Sequence, residues 1–190
     1  MAKVVVDMAM ALDGFVAGPS GEDAGLHDWF FPPSGDRNAV DAGVVEESIG
    51  TTGAILMGRR TYDLGESVAG FAGTPYRVPH FVLSHGEPQE VSEGAPPFTF
   101  VADGIAGAVE QARAVAGERN VVIGGGADVA RQAIGAGLVD EVAIHLVPVL
   151  LGGGTRLFEG SGRRRIGLER IETLESPFAT HLRFRVLGED

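Results

Sequence analysis

Three consecutive glycines, Gly124 to Gly126, join the apolar run NVVI to a helical pattern that begins at Ala127. Glycine offers no side chain to a ligand, so any chemistry here must come from the backbone. The first N–H groups of a helix have no partner within the helix and lie at the positive end of its dipole. Without a Cβ in the way, a phosphate can approach them closely. The stretch therefore predicts an anion site, although the same glycines would also serve a tight turn that binds nothing.

A second strand-like run, AILM, also ends at a glycine, Gly58, and a helical segment follows that begins with Arg59, Arg60 and Thr61. A guanidinium group can bind a phosphate through two parallel hydrogen bonds, and a threonine hydroxyl can act at the start of a helix. This junction is thus a second candidate anion site. The alternative is a capped helix with two solvent-exposed arginines.

Other chemical motifs are sparse. Val129 stands in place of the third glycine of G-x-G-x-x-G, and the sequence contains neither a G-K-[ST] loop nor the G-x-S-x-G motif of serine hydrolases. The five histidines (27, 80, 85, 145 and 181) form no H-x-x-x-H pair, so we expect no metal site. His145 lies in an apolar run, which favours a hydrogen-bonded core residue over a catalyst.

Two loops have open interpretations. The segment MALDGFVAG contains an Asp-Gly turn after the first apolar run. It is either an ordinary loop or a mobile flap over a pocket at the carboxyl ends of the strands, where open α/β sheets bind ligands. The basic run Arg163 to Arg165 is expected to be a solvated loop rather than an anion site.

The hydrophobic pattern of the sequence predicts the strands and helices that position these motifs. Strands are predicted at 3–10, 54–58, 80–84, 98–102, 120–124, 141–152, 165–176 and 180–188, and helices at 36–53, 59–68, 105–118 and 127–137. Strands and helices alternate first, and only strands follow. This order predicts an α/β fold with a mostly parallel sheet, an antiparallel C-terminal edge and flanking helices. The length of 190 residues suits a single domain, 1–190.

Composition and charge exclude several classes of protein. The formal net charge is −11, which disfavours nucleic acid and anionic membranes as partners. No apolar run approaches the roughly 18 residues of a membrane helix, and the first residues do not form a signal peptide. The chain has no cysteine and hence no disulfide, thiolate nucleophile or cysteine metal site. A cytoplasmic location is expected.

In order along the chain, MALDGFVAG, LMGRRT, FVLS and VIGGGADVARQAI resemble segments of the dihydrofolate reductase fold. They are more closely similar to the reductase domain of bacterial riboflavin biosynthesis and its stand-alone relatives, and GLVDEVAIHLVPVLLGGGTRLF is the most specific match. The resemblance extends from about residue 3 to residue 187. It implies a three-layer dihydrofolate reductase-like fold, an NADPH cofactor and reductase activity.

The resemblance also implies three groups of NADPH-binding residues. One contacts the pyrophosphate, one the adenosine side, and one holds the nicotinamide carboxamide through backbone atoms. The pyrophosphate group lies at the two glycine junctions and comprises Gly58, Thr61, Gly124, Gly125, Gly126 and Ala127. The adenosine side is assigned to Arg59, Ser84 and His85, and the nicotinamide to Ala9 and Val16.

The sequence departs from this family at the proton donor. Folate reductases carry a carboxylate on the first helix in a W-x-x-x-[DE]-L-type neighbourhood, and that pattern is not intact here. Asp41 is the nearest candidate, because it lies four residues before Val45 and so beside the predicted buried helix face. A solvent-facing Asp41 is an equal alternative, and Glu46 and Glu47 are expected to be exposed. This departure disfavours dihydrofolate itself and favours a C=N or C=O of another pterin- or pyrimidine-like heterocycle.

Two functions therefore stand side by side. The first is an NADPH-dependent reductase of a small-molecule substrate; the second is a nucleotide-binding protein without turnover, which the missing folate-type acid favours. A flavin-dependent or short-chain dehydrogenase is a weaker third, opposed by the absent third glycine.

We also expect a homodimer, because VAIHLVPVLLGGG supplies more apolar strand than a sheet edge can leave uncovered and the riboflavin-type relatives pair through such regions.

Overall fold

The computed structural model of the protein describes residues 2–68, 70–86, 91–159 and 165–188. Its strands and helices alternate along most of the chain. The strands are β1 (Val4–Ala11), β2 (Phe15–Ala17), β3 (Thr52–Gly58), β4 (His80–Leu83), β5 (Phe98–Val101), β6 (Asn120–Ile123), β7 (Glu141–Val147), β8 (Thr155–Arg156), β9 (Leu168–Glu175) and β10 (Thr180–Val186). The helices are α1 (Ala39–Thr51), α2 (Arg59–Val68), α3 (Gly104–Ala116) and α4 (Ala127–Gly135).

Eight strands form one sheet in the order β5-β4-β3-β6-β1-β7-β10-β9. The strands from β5 to β7 run parallel to one another, and β10 and then β9 add in antiparallel orientation. This confirms the predicted fold class, with a mostly parallel sheet and an antiparallel C-terminal edge. Strands β2 and β8 form a separate two-stranded ribbon.

Successive side chains on a strand point to opposite faces of the sheet, and the two faces here are chemically different. On the first face, Val6, Leu56 and Ile144 join the main core, which α3 and α4 cover. On the second face, Ala9 packs with Val45 of α1, and Met57 packs with Tyr62 of α2. Helices therefore cover both faces. The strand residues Asp7, His145 and His181 lie on the second face, beside these smaller clusters.

Three local predictions differ from the structure. The predicted strand 141–152 ends at Val147, because Pro148 has no N–H with which to continue the ladder. The loop predicted after the first strand contains β2, whose partner β8 lies far along the chain and leaves no local pattern. The predicted helix 36–53 spans Ala39–Thr51, with the Asn38 side chain accepting a hydrogen bond from the N–H of Val40.

The strand part of the segment expected to form a dimer interface is not a sheet edge. Strand β7 lies inside the sheet, between β1 and β10, whereas Leu150 in the rest of segment 142–154 is exposed. The homodimer stays a prediction. Within the described ranges, no helix is long and apolar enough to cross a membrane.

A buried carboxylate holds the strands of the antiparallel edge together. Glu141, the first residue of β7, is 2% exposed. It accepts hydrogen bonds from Lys3 Nζ at 2.5 Å and from Arg183 Nε of β10 at 2.9 Å. Burial acts to raise the pKa of Glu141, but the two cations outweigh it and the pKa is lowered. Glu141 thereby links the residue that precedes β1 to β7 and β10.

We expect Glu141→Ala to lower the free energy of unfolding by about 1 to 3 kcal/mol, because hydrogen bonds to charged groups are lost. The matched control is Glu169→Ala, which removes the exposed Arg185–Glu169 pair on the same edge and should cost less than about 1 kcal/mol. Because the pKa of Glu141 is lowered on folding, its contribution is complete above the ordinary glutamate pKa of about 4.3 and is lost as the pH falls through the folded value. Urea denaturation at several pH values tests this, and equal losses in the two variants would contradict it.

Candidate active site

A cavity of about 210 Å³ opens on the second face of the sheet. Strand residues such as Asp7, Ala9 and His145 line it, and Gly124 lies at its edge. Aromatic side chains from the loops also line it: Trp29, Phe30, Phe31, Phe71 and Tyr76. An apolar cavity with a few convergent polar groups is typical of a small-molecule site.

The main polar group in the cavity is the carboxylate of Asp7, whose side chain is 24% exposed. Its Oδ1 lies 2.8 Å from His145 Nε2, and Ser48 Oγ donates weakly to Oδ2 at 3.4 Å. Burial acts to raise the pKa of Asp7, but His145 and Ser48 outweigh it, so the pKa is lowered and the carboxylate is ionised. The Tyr76 hydroxyl lies 2.9 Å from Ser48 Oγ, and burial raises the pKa of Tyr76 to about 12.

Behind His145 the chain of hydrogen bonds continues into the core. His145 Nδ1 lies 2.7 Å from His181 Nδ1 on β10, and His181 Nε2 lies 2.8 Å from Asp41 Oδ1 on α1. Burial is the main cause that lowers the pKa of His181. The Trp29 ring covers both imidazoles, with centroid distances of 4.2 Å to His145 and 4.9 Å to His181. Asp7, His145, His181 and Asp41 thus form one chain, which we call the Asp–His–His–Asp chain.

The structure places Asp41 behind the wall of the cavity. The carboxylate is fully buried, in agreement with the predicted buried helix face, whereas Glu46 and Glu47 are exposed as expected. Asp41 is not, however, among the described residues that line the cavity; His181 and His145 lie between them. Asp41 as the proton donor thus stays a prediction, and any path from it to this cavity passes through His181 and His145. His145 is hydrogen-bonded, as predicted, but it also lines the cavity.

The two glycine junctions meet at the carboxyl ends of β3 and β6, which are neighbours in the sheet. The N–H of Gly58 donates to the carbonyl of Gly125 at 3.2 Å. A Cβ on Gly125 would lie 2.4 Å from Thr61 Cγ2, and Gly126 has φ +85°. Only glycine fits this close approach, and the start of α4 therefore lies beside the start of α2.

Arg59 and Ser84, which the sequence assigns to one part of the cofactor site, lie together. Arg59 Nη1 donates to the carbonyl of Gly86 at 3.0 Å and lies 3.5 Å from Ser84 Oγ, while Nε donates to Asp63 Oδ1 at 2.7 Å. His85 is exposed between Ser84 and Gly86. The sheet order brings this group next to the glycine junctions.

Two of these residues stand apart from the others. Arg60 extends away from Arg59, and its Nη2 donates to the carbonyl of Ser20 at 3.2 Å. Val16 of β2 packs against the main core and is not among the described residues that line the cavity. Of the basic run, Arg163 and Arg164 lie outside the described residues.

The predicted cofactor residues follow the order of the strands. Ser84 follows β4, Arg59 follows β3, the glycine turn follows β6, and Ala9 lies on β1. Adjacent strands are about 4.8 Å apart, so this row is on the order of 14 Å long. The N-termini of α2 and α4 lie near the middle of this row. Their backbone N–H groups are suited to binding a pyrophosphate. These residues fit a dinucleotide laid across the sheet, with one end at the cavity.

Sequence reasoning missed Asp7, Trp29, Tyr76 and His181. Asp7 was detectable, because a single charge inside the apolar run VVVDMAM costs free energy unless it has a partner. Trp29 and Tyr76 come from loops, which have no periodicity to locate them. His181 occurs in an alternating strand, where nothing local identifies its partners.

Comparison with known proteins identifies the family and the fold. The model of the RibD C-terminal domain family matches residues 2–180. The uncharacterised protein YyaP of Bacillus subtilis is 27% identical over 185 residues, which cover 90% of this chain and 87% of YyaP. The structure of a candidate riboflavin biosynthesis protein from Shewanella sp. PV-4 is 26% identical with a TM-score of 0.77, covering 99% of this chain and 100% of that one.

The fold also extends to a more distant enzyme. Dihydrofolate reductase from Enterococcus faecalis, solved in complex with NADP(H), has a TM-score of 0.61 at 17% identity, with 98% of this chain and 97% of that chain covered. At this identity the likeness shows the dihydrofolate reductase-like fold alone. Because the family model covers nearly the whole sequence, the protein belongs to the RibD C-terminal domain family.

Proposed function

We propose that the protein is an NADPH-dependent reductase that transfers a hydride to a C=N or C=O bond of a small pterin- or pyrimidine-like heterocycle. One observation carries the proposal. The row of candidate cofactor residues ends at Gly124 and Ala9, and both also line the cavity that contains Asp7 and His145. A dihydronicotinamide at this end of the row would supply the hydride. Family membership supports the same reaction class.

The cavity wall suits a flat heterocycle. Trp29, Phe31 and Tyr76 offer aromatic surface for stacking, and the ionised Asp7 accepts hydrogen bonds from ring or exocyclic N–H groups. The surrounding side chains exclude water, which strengthens each electrostatic contact with the ligand. Asp7 and His145 also supply an acidic pair within the cavity, so that Asp41 need not itself contact the ligand.

A nucleotide-binding protein without turnover is the second candidate, because the first-helix carboxylate does not line the cavity. Steady NADPH oxidation, followed by absorbance with a panel of pterins, pyrimidines and quinone-like compounds, distinguishes the two functions. Oxidation with one of these compounds supports the reductase. Tight NADPH binding without oxidation across the panel would favour the binding protein.

Arg59→Ala should weaken NADPH binding roughly ten- to a hundred-fold, since a charge-assisted hydrogen bond to a phosphate contributes about 1.5 to 3 kcal/mol. NADH binding should barely change, because NADH lacks the phosphate on its adenosine ribose. The matched control is Arg60→Ala, whose guanidinium contacts Ser20 instead and should matter less. Calorimetric titration of both cofactors measures this. Equal losses for NADPH and NADH, or a preference of the wild type for NADH, would remove Arg59 from the site.

The glycine turn can be tested with two substitutions that differ in their structural cost. A Cβ at Gly125 would collide with Thr61, so Gly125→Val should lower stability and NADPH binding together. A Cβ at Gly124 has its nearest neighbour at 3.8 Å, and this residue is exposed at the cavity edge. Gly124→Val should therefore reduce NADPH binding at least about ten-fold, or about 1.4 kcal/mol, while the melting temperature changes little. Normal NADPH affinity in Gly124→Val would show that the glycines serve the turn alone.

We further propose that the protein is a homodimer, now on different grounds from the buried strand β7. Leu150 is 72% exposed and Phe158 is 51% exposed, and both lie in the segment after β7. Covering these side chains would stabilise a dimer. Light scattering at micromolar concentration should give twice the mass of the chain, and the mass of a single chain would contradict the proposal.

A further inference from the structure

Asp7 and His145 lie between two cavities. Besides the ligand cavity, a second cavity of about 60 Å³ is also lined by Asp7, Ser48 and His145. His181 and Glu47 line only the second cavity. The Glu47 side chain is 49% exposed, so this cavity reaches the protein surface. Its volume is sufficient for several water molecules.

The three contacts of the Asp–His–His–Asp chain need more protons than two ionised carboxylates and two neutral imidazoles can supply. Its three contacts, at 2.8, 2.7 and 2.8 Å, each require one proton between two electronegative atoms. Two ionised carboxylates and two neutral imidazoles provide only two protons. With two protons, one contact would place two lone pairs against each other. The geometry therefore requires a third proton, which leaves the four groups with a net charge of −1.

With both carboxylates ionised, the location of the third proton follows from the surroundings of each ring. Burial lowers the pKa of His181, and the neighbouring His145 lowers it further, so His181 is the neutral ring. Its single proton is on Nε2, donated to Asp41, which leaves Nδ1 as an acceptor. His145 then carries both ring protons, with Nδ1–H directed at His181 and Nε2–H at Asp7. The ionised Asp7 stabilises this imidazolium.

We propose that the Asp7–His145 pair donates a proton to the ligand in the first cavity and is reprotonated from water in the second cavity. His181 and Asp41 act as positioning residues, since they keep an acceptor facing His145 Nδ1. This inference rests on the proposed reductase function, in which the substrate gains a hydride from NADPH and a proton from the protein. The proton shared between His145 Nε2 and Asp7 Oδ1 moves to the basic nitrogen or oxygen of the ligand, and His145 becomes neutral. A proton from the second cavity then restores the imidazolium.

Other titratable groups face this pair and must be considered in any pH profile. His27, His80 and Tyr76 line the ligand cavity. His27 is paired with Asp23, burial lowers the pKa of His80, and the Tyr76 hydroxyl remains protonated. On the second cavity, Glu172 and the Glu47–Arg183 ion pair are the charged groups.

Nitrogen-15 NMR of histidine-labelled protein tests the protonation pattern without any turnover. The two buried rings are assigned from the signals lost in His145→Gln and His181→Gln. At pH 7 we expect both ring nitrogens of His145 to be protonated, and His181 to carry a proton on Nε2 alone. Two neutral rings in the wild type would overturn the inference, whether or not a substrate is found.

The second cavity is tested by filling it. Ala143 lines the second cavity but is not among the described residues that line the ligand cavity. Ala143→Leu should slow the exchange of the His145 ring N–H protons with D₂O at least about five-fold, relative to Ala143→Ser as the matched control. NADPH affinity should stay within about two-fold in both variants, and thermal melting verifies their folding. Wild-type exchange in a folded Ala143→Leu variant would overturn the route through the second cavity, even if the reductase activity is confirmed.

Discussion

The carboxylate of Asp7 is the charge around which the second face of the sheet is arranged. It extends from the central strand β1 into an aromatic cavity, where an unpaired ionised group would be expensive. His145 provides its partner from β7, and His181 and Asp41 extend the hydrogen bonds to β10 and α1. Three strands must therefore keep one register, in which His145 stands opposite both Ala9 and His181. The buried Glu141 supports this register from the other end of β7.

The glycine junctions impose a second constraint, which is steric rather than electrostatic. At Gly125 the backbone contacts Thr61 so closely that no side chain fits. This contact brings the start of α4 beside the start of α2 and concentrates unpaired N–H groups in one place. The whole chain carries a net charge of −11, so an anionic cofactor would on average be repelled. Paired helix starts and Arg59 can offset that repulsion locally, so the proposed cofactor site would depend on the backbone more than on abundant cations.

The sequence predicted the parts of this site that depend on neighbours in the chain. The turns at Gly58 and Gly124 to Gly126 were recognisable, because an apolar run, a glycine and a helical pattern follow one another within about a dozen residues. The Asp–His–His–Asp chain was not, since Asp7 and His145 are 138 positions apart and His181 and Asp41 are 140 apart. Of the two alternatives left open for Asp41, the structure shows the buried one. The partner of Asp41 could not be identified, because the strand order that places His181 there is not encoded in any local pattern.

Asp7 and Ala9 lie two residues apart on one strand, and this spacing relates the two halves of the proposed chemistry. Side chains at positions i and i+2 of a strand share a face and are separated by roughly 6.6 Å, about the width of a small heterocyclic ring. Both residues line the same cavity, with the candidate nicotinamide position at Ala9 and the acidic pair at Asp7. A flat ligand between the aromatic walls can thus meet the hydride donor near one edge and the proton donor near the other. A protein that only bound a nucleotide would not need the Asp7–His145 pair between the ligand cavity and a second cavity that reaches the surface. This arrangement therefore favours catalysis over binding alone.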